Sequence, residues 1–406
     1  MIRPYSFIAI PSQAIRDFLR LESAGGILLM FATVAALILA NTRGEGLYQA
    51  FLNTPVALRI GAFELSKPLL LWINDGLMAV FFFLVGMEIK REVMEGELSN
   101  AAQIGLPAVA AVGGMAAPAA IYAWLNWGDD VAIRGWAIPD ATDIAFALGV
   151  LSLLGNRVPH GLKVFLLTLA ILDDLGSILV IAIFYTEQLS TVSLTVAASA
   201  LVVLLVMNRA GVRTIPPYFF VGLVLWVAVL KSGIHATLAG VVLAMFIPLR
   251  NGATPEAAPL RRLEHDLHPV VAYVILPLFA FANAGVSLQG MTLASLAHPV
   301  PLGIAAGLVV GKAVGVFGMA ALAVKCGLSR LPERATWTSL LGVSVLCGIG
   351  FTMSVFIAGL AFGEQAPREA VEAVVGILTG TLIAAVTGYL ILAASLPRNS
   401  AASTGR

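Results

Sequence analysis

The chain has 406 residues, of which 59% are hydrophobic and 12% charged, with a formal net charge of +1. Soluble domains carry ~25% charged residues, so this composition selects an all-α polytopic membrane protein, in line with a mean hydropathy of +0.94. The near-neutral balance excludes a general basic field for nucleic acid.

Residues 1–22 mix Arg3, Arg16 and Arg20 with apolar residues and predict an interfacial segment ahead of the first span at 24–41. The first apolar run lacks a small-residue cleavage pattern, so no cleaved signal peptide is expected. Residues 42–67 include TPVALRIGAFELSK, whose short alternation predicts a small extramembrane β-hairpin at 55–66. Further apolar runs follow near 68–89, 104–125, 139–155, 162–185, 191–208 and 217–230. They continue near 234–248, 269–286, 301–325, 336–362 and 371–396, which makes about twelve candidate spans in one transporter domain over 1–400. Residues 397–406 form a short tail.

Threading twelve spans with a cytoplasmic N-terminus puts 17 of the 24 Lys and Arg on the cytoplasmic side and 6 opposite, with Lys312 inside a span. That asymmetry favours twelve spans with both ends cytoplasmic. Cys326 and Cys347 lie in or beside apolar runs without metal-type spacing, and read as small packing residues.

Within the run at 162–185, Asp173 and Asp174 are adjacent. A carboxylate at the centre of a span costs at least ~2.5–3.5 kcal/mol. Neighbours on a helix point ~100° apart, so the two cannot share one partner. One facing a water-filled cavity and the other meeting a buried partner is the economical reading. Hydration of both near an interface is the alternative.

Two spans look interrupted. PDATDIAFALGVLSLLG opens with a proline and carries Asp140, Thr142 and Asp143, while CGIGFTMSVFIAG places Gly348, Gly350 and Thr352 inside an apolar run. Unwound backbone survives at membrane depth only where protein or a cavity surrounds it. Thr142, Phe146 and Gly149 share the spacing of Thr352, Phe356 and Gly359. Each interrupted run is the middle member of a three-span set, over about 104–185 and 301–396, as expected of two inverted three-helix repeats with discontinuous helices and a midplane site.

Asp143, with Asp173 and Asp174 for company, suits a hard cation held by carboxylate, hydroxyl and water oxygens; capping the following half-helix is its bland alternative. Lys312 is the only Lys or Arg deep in a span. A buried ammonium must pair or lose its proton, and Asp173 or Asp174 is the obvious partner. Such a pair can be structural, or its opening can take part in a proton cycle. Asp75 reads as a supporting polar contact. Glu88, with Lys90, Arg91 and Glu92, reads as an interfacial charge network. Glu264, His265 and His268 precede the ninth span, and His235 starts the eighth. Histidines titrate near neutrality, yet helix-end roles are commoner than sensing.

WAIPDATDIAFALGVL, LAILDDLGSILVIAIFYT, LKSGIHATLAG, LEHDLHPVVAYVILPLFAFANAGVSLQG and CGIGFTMSVFIA resemble the NhaA-type sodium/proton antiporters of bacterial inner membranes, over roughly residues 14–395. The resemblance implies a Na⁺ or Li⁺ site at Asp143 and Asp174 with Thr142 nearby, and an Asp173–Lys312 pair. It implies pH regulation through Glu88, Arg91, Glu264, His265 and His268, and a homodimer formed through the hairpin. It implies exchange of Na⁺ or Li⁺ for H⁺ without a cofactor, and no enzyme activity. Better-known members carry Ala at the position of Asp140 and Pro at that of Ala313, so affinity, pH range and the geometry of Lys312 can differ here. A sodium-coupled symporter is the alternative within transport. A passive channel fits the buried lysine less well, and an aspartyl protease lacks its GxGD signature here.

Overall fold

In the computed structural model, residues 24–397 are described, apart from 62, 97, 99–100, 187–188, 250–257 and 364. The expected interfacial segment at 1–22 and nearly all of the tail lie outside that range. The chain is mostly helical, with one two-stranded sheet.

Helix α1 (Ala24–Ala40) turns by 115° into the short α2 (Glu45–Leu52), a helix inside the stretch where only extended structure was expected. The hairpin follows as β1 (Pro55–Ile60) and β2 (Phe63–Pro68), antiparallel, with Arg59 opposite Glu64. Its base is tied down by a Trp72 Nε1 hydrogen bond to the Val56 carbonyl at 3.0 Å.

Among the described residues, seven helices are long and apolar enough to cross a bilayer, or nine if each of two bent pairs counts as one span. The seven are α3 (Leu69–Glu95), α4 (Ile104–Leu125), α6 (His160–Phe184), α7 (Thr191–Arg209), α10 (Pro259–Ala284), α11 (Pro299–Lys325) and α14 (Pro367–Ser395). A shorter apolar helix, α8 (Ile215–Leu230), and the nine-residue α5 (Ile144–Ser152) and α9 (Leu238–Phe246) complete the set with α12 (Trp337–Leu346) and α13 (Phe351–Ala361). Helix α10 starts ten residues before the apolar run at 269–286 because its polar first turns, Pro259–Val270, are amphipathic rather than apolar.

Among the described residues, three long helices carry a π-helical turn, at Trp72–Leu77, Val271–Ile275 and Gly307–Gly311. The last immediately precedes Lys312.

Helices α4 and α11 pack backbone to backbone. A methyl group on Gly113 would lie 2.3 Å from the Gly315 carbonyl oxygen, and one on Gly315 would lie 2.1 Å from that of Gly113. Small residues at such a contact are how membrane helices approach closely. The approach brings Lys312, one turn before Gly315, against α6.

The segment before α5 is not a simple helix. A 3₁₀ helix, Ala132–Asp140, gives way to extended backbone at Ala141–Asp143 before α5 begins. Opposite it, α12 and α13 are bent by 43° around Cys347–Gly350. The two interruptions lie across each other, joined by a hydrogen bond from the Asp143 amide to the Ile349 carbonyl at 2.7 Å. Ser354 Oγ donates to the Ile138 carbonyl at 2.7 Å. Backbone groups freed by the breaks are met across the crossing or, at the Phe351 amide, by Thr381 Oγ of α14 at 3.2 Å, which is the condition for loose backbone inside an apolar body.

Candidate cation site

Asp143 ends the extended segment, and its Oδ1 accepts the Phe146 amide at 2.9 Å, capping α5. Its Oδ2 accepts the Thr352 amide at 3.2 Å and also the Thr352 hydroxyl. The capping and site readings of Asp143 are therefore compatible, since one carboxylate oxygen serves each.

Thr142 Oγ lies 2.7 Å from Asp173 Oδ2 and 2.8 Å from the Cys347 carbonyl. A hydroxyl has one proton to donate, so it can satisfy only one of these at a time. The paired threonines of the two interrupted runs each reach an aspartate, Thr142 to Asp173 and Thr352 to Asp143.

The Lys312 ammonium pairs with Asp173 Oδ2, and both side chains are fully buried. Of the two candidates left open by sequence, Asp173 is the one in contact. A methyl group on Gly114 would lie 2.8 Å from Val316 Cγ2, so the bare backbone there lets α4 approach α11 beside the pair.

Asp174 points elsewhere. Its Oδ1 is buried and has no hydrogen-bond partner, and the carboxylates within its electrostatic reach are Asp173, Glu88 and Asp143. Buried polar atoms are normally satisfied, so a partnerless carboxylate oxygen facing other carboxylates marks a place for a proton or a cation. Among the described residues, no three His, Cys, Asp or Glu converge as on a transition metal.

The supporting residues fall into two groups. Asp75, in the π-helical turn of α3, pairs with Lys67 at 2.9 Å, and His235 Nε2 lies 4.0 Å from it. His235 also meets Thr237 Oγ at 2.8 Å and packs edge-on against Phe356 of α13. At the far end of α3, Arg91 binds Glu264 through Nε at 3.0 Å and Glu92 through Nη1 at 2.6 Å. Lys90 donates to the Met245 and Ile247 carbonyls at the end of α9, and Arg261 pairs with Glu95 at 2.6 Å. Glu88 is half-buried beside this network, while His265 and His268 are exposed.

Two features escaped the sequence. The role of the Cys347 carbonyl as an acceptor depends on a bend no residue type announces. Ser177, buried one turn beyond Asp173 with an unpartnered Oγ, was legible in principle as a hydroxyl at i+4 within an apolar run.

Fold and site together define a polytopic membrane protein with a buried carboxylate–ammonium centre where two interrupted segments cross. Residues 16–392 match the family model described as Na+/H+ antiporter 1. The chain is 60% identical over 376 residues to the Na(+)/H(+) antiporter NhaA of Pseudomonas putida (strain GB-1), covering 93% of this chain and 96% of that one. It is 58% identical over 384 residues to the Na(+)/H(+) antiporter NhaA of Serratia proteamaculans (strain 568), covering 95% and 98% respectively. A Shewanella sp. (strain W3-18-1) protein of the same name is 56% identical over 386 residues, 95% of this chain and 99% of that one. The chain belongs to the Na⁺/H⁺ antiporter 1 family, which is a family of transporters.

Proposed function

We propose that this protein exchanges intracellular Na⁺ or Li⁺ for external H⁺ across the bacterial inner membrane. The observation that carries the reading is the buried Asp174, whose Oδ1 has no partner, beside the Asp143–Thr352 and Asp173–Lys312 contacts, in a chain of this family. Asp143 and Asp174 bind the cation, with Thr142 near it, and Asp173 with Lys312 forms the pair that opens and closes through the proton cycle. Thr352 and Asp75 support the site. No cofactor takes part.

Protons and cation compete for the same carboxylates, so one site loads with either and coupling needs no separate gate. Acid pH fills the carboxylates with protons and suppresses cation loading; alkaline pH relieves it. If more protons enter than cations leave, each cycle moves net charge, worth ~2.3 kcal/mol per charge per 100 mV, and the membrane potential drives extrusion.

The architecture of this reading is twelve spans in one domain, both termini cytoplasmic, with inverted three-helix repeats over 104–185 and 301–396. The interrupted spans cross at the midplane, and their bundle rocks to alternate access. Two protomers join through the hairpin at 55–66. The network of Glu88, Arg91 and Glu264, with His265, His268 and His235, regulates activity by pH.

Everted vesicles lacking other antiporters, loaded with an internal pH dye and given NaCl, LiCl or KCl from mildly acid to alkaline pH, test the exchange. A Na⁺- or Li⁺-triggered collapse of the proton gradient, absent in Asp174→Asn, is the expected result. Collapse that persists in Asp174→Asn would sink the site assignment, and no response at any pH would sink antiport.

A further inference from the structure

The two interruptions free the first amides of two helices, which are capped unequally. Helix α5 is capped by its own Asp143, whose Oδ1 accepts the Phe146 amide at 2.9 Å. Helix α13 starts from Gly350, which has no side chain to do the same. Amides at membrane depth must still find acceptors. The Thr352 amide takes Asp143 Oδ2 at 3.2 Å, and the Phe351 amide takes Thr381 Oγ of α14 at 3.2 Å. Asp143 thus serves one helix with each carboxylate oxygen, and shares the capping of α13 with Thr381.

A threonine in a long apolar helix can return its hydroxyl to the carbonyl four residues earlier, as Thr379 does to Val375 at 2.8 Å. Thr381, 4% exposed, serves the amide of a different helix. That helix begins in a cleft between α11 and α14. A methyl group on Gly348, in the bend before α13, would lie 2.1 Å from the Leu308 carbonyl oxygen of α11 and 3.1 Å from Ala384 Cβ of α14. One on Gly380, beside Thr381, would lie 3.1 Å from Ala305 Cα of α11. Helices α11 and α14 therefore form one close-packed frame, and Thr381 is where that frame grips the first turn of α13. Phe351 and Thr352 are consecutive, so holding the first amide fixes the rotation and rise of the second. The Thr352 hydroxyl and amide both converge on Asp143 Oδ2, a geometry that a small rotation of the turn would break.

We propose that Thr381 is a positioning residue of the cation site. By holding the Phe351 amide it sets the first turn of α13 so that Thr352 meets Asp143 with both of its donors. It acts through Thr352 rather than on the ion. The inference rests on the reading of Asp143 as a ligand of the transported ion, and it extends the site from the crossing to α14.

Thr381→Val keeps the shape of the side chain and removes the acceptor. In everted vesicles at alkaline pH it raises the apparent KM for Na⁺ about fivefold, the worth of one neutral hydrogen bond, while the maximal rate changes by less than about twofold. Thr381→Ser restores the wild-type KM, and Thr381→Ala repeats the loss should the valine variant not fold. In a Thr352→Val background the valine substitution raises KM by less than about twofold, because part of what Thr381 aims is already gone. Hydrogen exchange of the purified protein, read by mass spectrometry on peptides covering 349–353, quickens in Thr381→Val and not in Thr381→Ser. With exchange lost in Asp143→Asn, an unchanged KM in Thr381→Val overturns the assignment, as does a loss that serine leaves in place. An undiminished effect in the Thr352→Val background overturns it too, and so does a fall in rate at constant KM, the mark of a merely structural role. Failure of the underlying reading is distinct: ion exchange then survives Asp143→Asn or is absent from the wild type, while hydrogen exchange at 349–353 still reports whether Thr381 holds the turn.

Discussion

The crossing and the network at the end of α3 use the same chemistry for different ends. At the crossing, Lys312 and Asp173 are sealed from water, and the Thr142 hydroxyl meets the same Asp173 oxygen that the ammonium does. At the end of α3, Arg91, Glu92, Glu264, Glu95 and Arg261 interlock as several pairs, with Arg91 and Arg261 about a third exposed. A sealed pair repays its desolvation only while both partners are present, and removing one costs ~3–5 kcal/mol. An exposed pair is worth ~0–1 kcal/mol and fades with salt. The crossing thus holds a few groups whose rearrangement is energetically large, whereas the network can change by small, graded steps. A transported ion needs the first kind of site; a regulator set by the bulk phase suits the second.

The sharpest way to break this contrast is functional. Asp143→Asn reduces exchange to background in everted vesicles, while Glu264→Gln keeps exchange and alters only its pH profile; the reverse pattern would exchange the roles of the two regions. Next in size is stability. Lys312→Ala lowers the unfolding free energy by ~3–5 kcal/mol, and adding Asp173→Ala recovers a large part of it. Thermal midpoints of the single and double variants in detergent measure that coupling, and simple additivity would show the pair to be unimportant. Thr352→Val removes one donor from Asp143 and costs ~1–3 kcal/mol, with Thr352→Ser restoring it. Smallest is Arg261→Ala, which loses the more exposed pair with Glu95 and is expected to cost about 1 kcal/mol or less, an effect that fades as choline chloride is raised. A large, salt-independent loss there would mean that the network is as sealed as the crossing.

Legibility in the sequence followed the same divide. Asp143, Asp173, Asp174 and Lys312 stood out because charge inside apolar runs is expensive, and the structure gathers them at one crossing of Thr142–Asp143 with Cys347–Thr352. The hairpin was visible from its alternation, and β1 and β2 extend it to Pro68. Hydropathy gave no hint of α2, which is short and buries only Tyr48 and Leu52, with Tyr48 reaching the Phe281 carbonyl of α10 at 2.7 Å. It also could not separate Glu264, which reaches Arg91, from His265 and His268, which face outward on the same turns. That distinction comes from helix rotation, to which spacing within α10 is sensitive only once its partner is known.

The π-helical turn at Gly307–Gly311 carries a consequence for chain length. A π turn accommodates one more residue than an α turn, so everything downstream is rotated by about 100° relative to an uninterrupted helix. Regularising that turn to α-helix with every residue kept would leave α11 apolar, long enough to span and unchanged in composition, yet it would swing the ammonium of Lys312 off the face that meets α6. Deleting one residue inside the turn, such as Val310, would instead remove the surplus and keep Lys312 on that face. A lost codon there would spare the centre, while one elsewhere along the helix would turn its ammonium away.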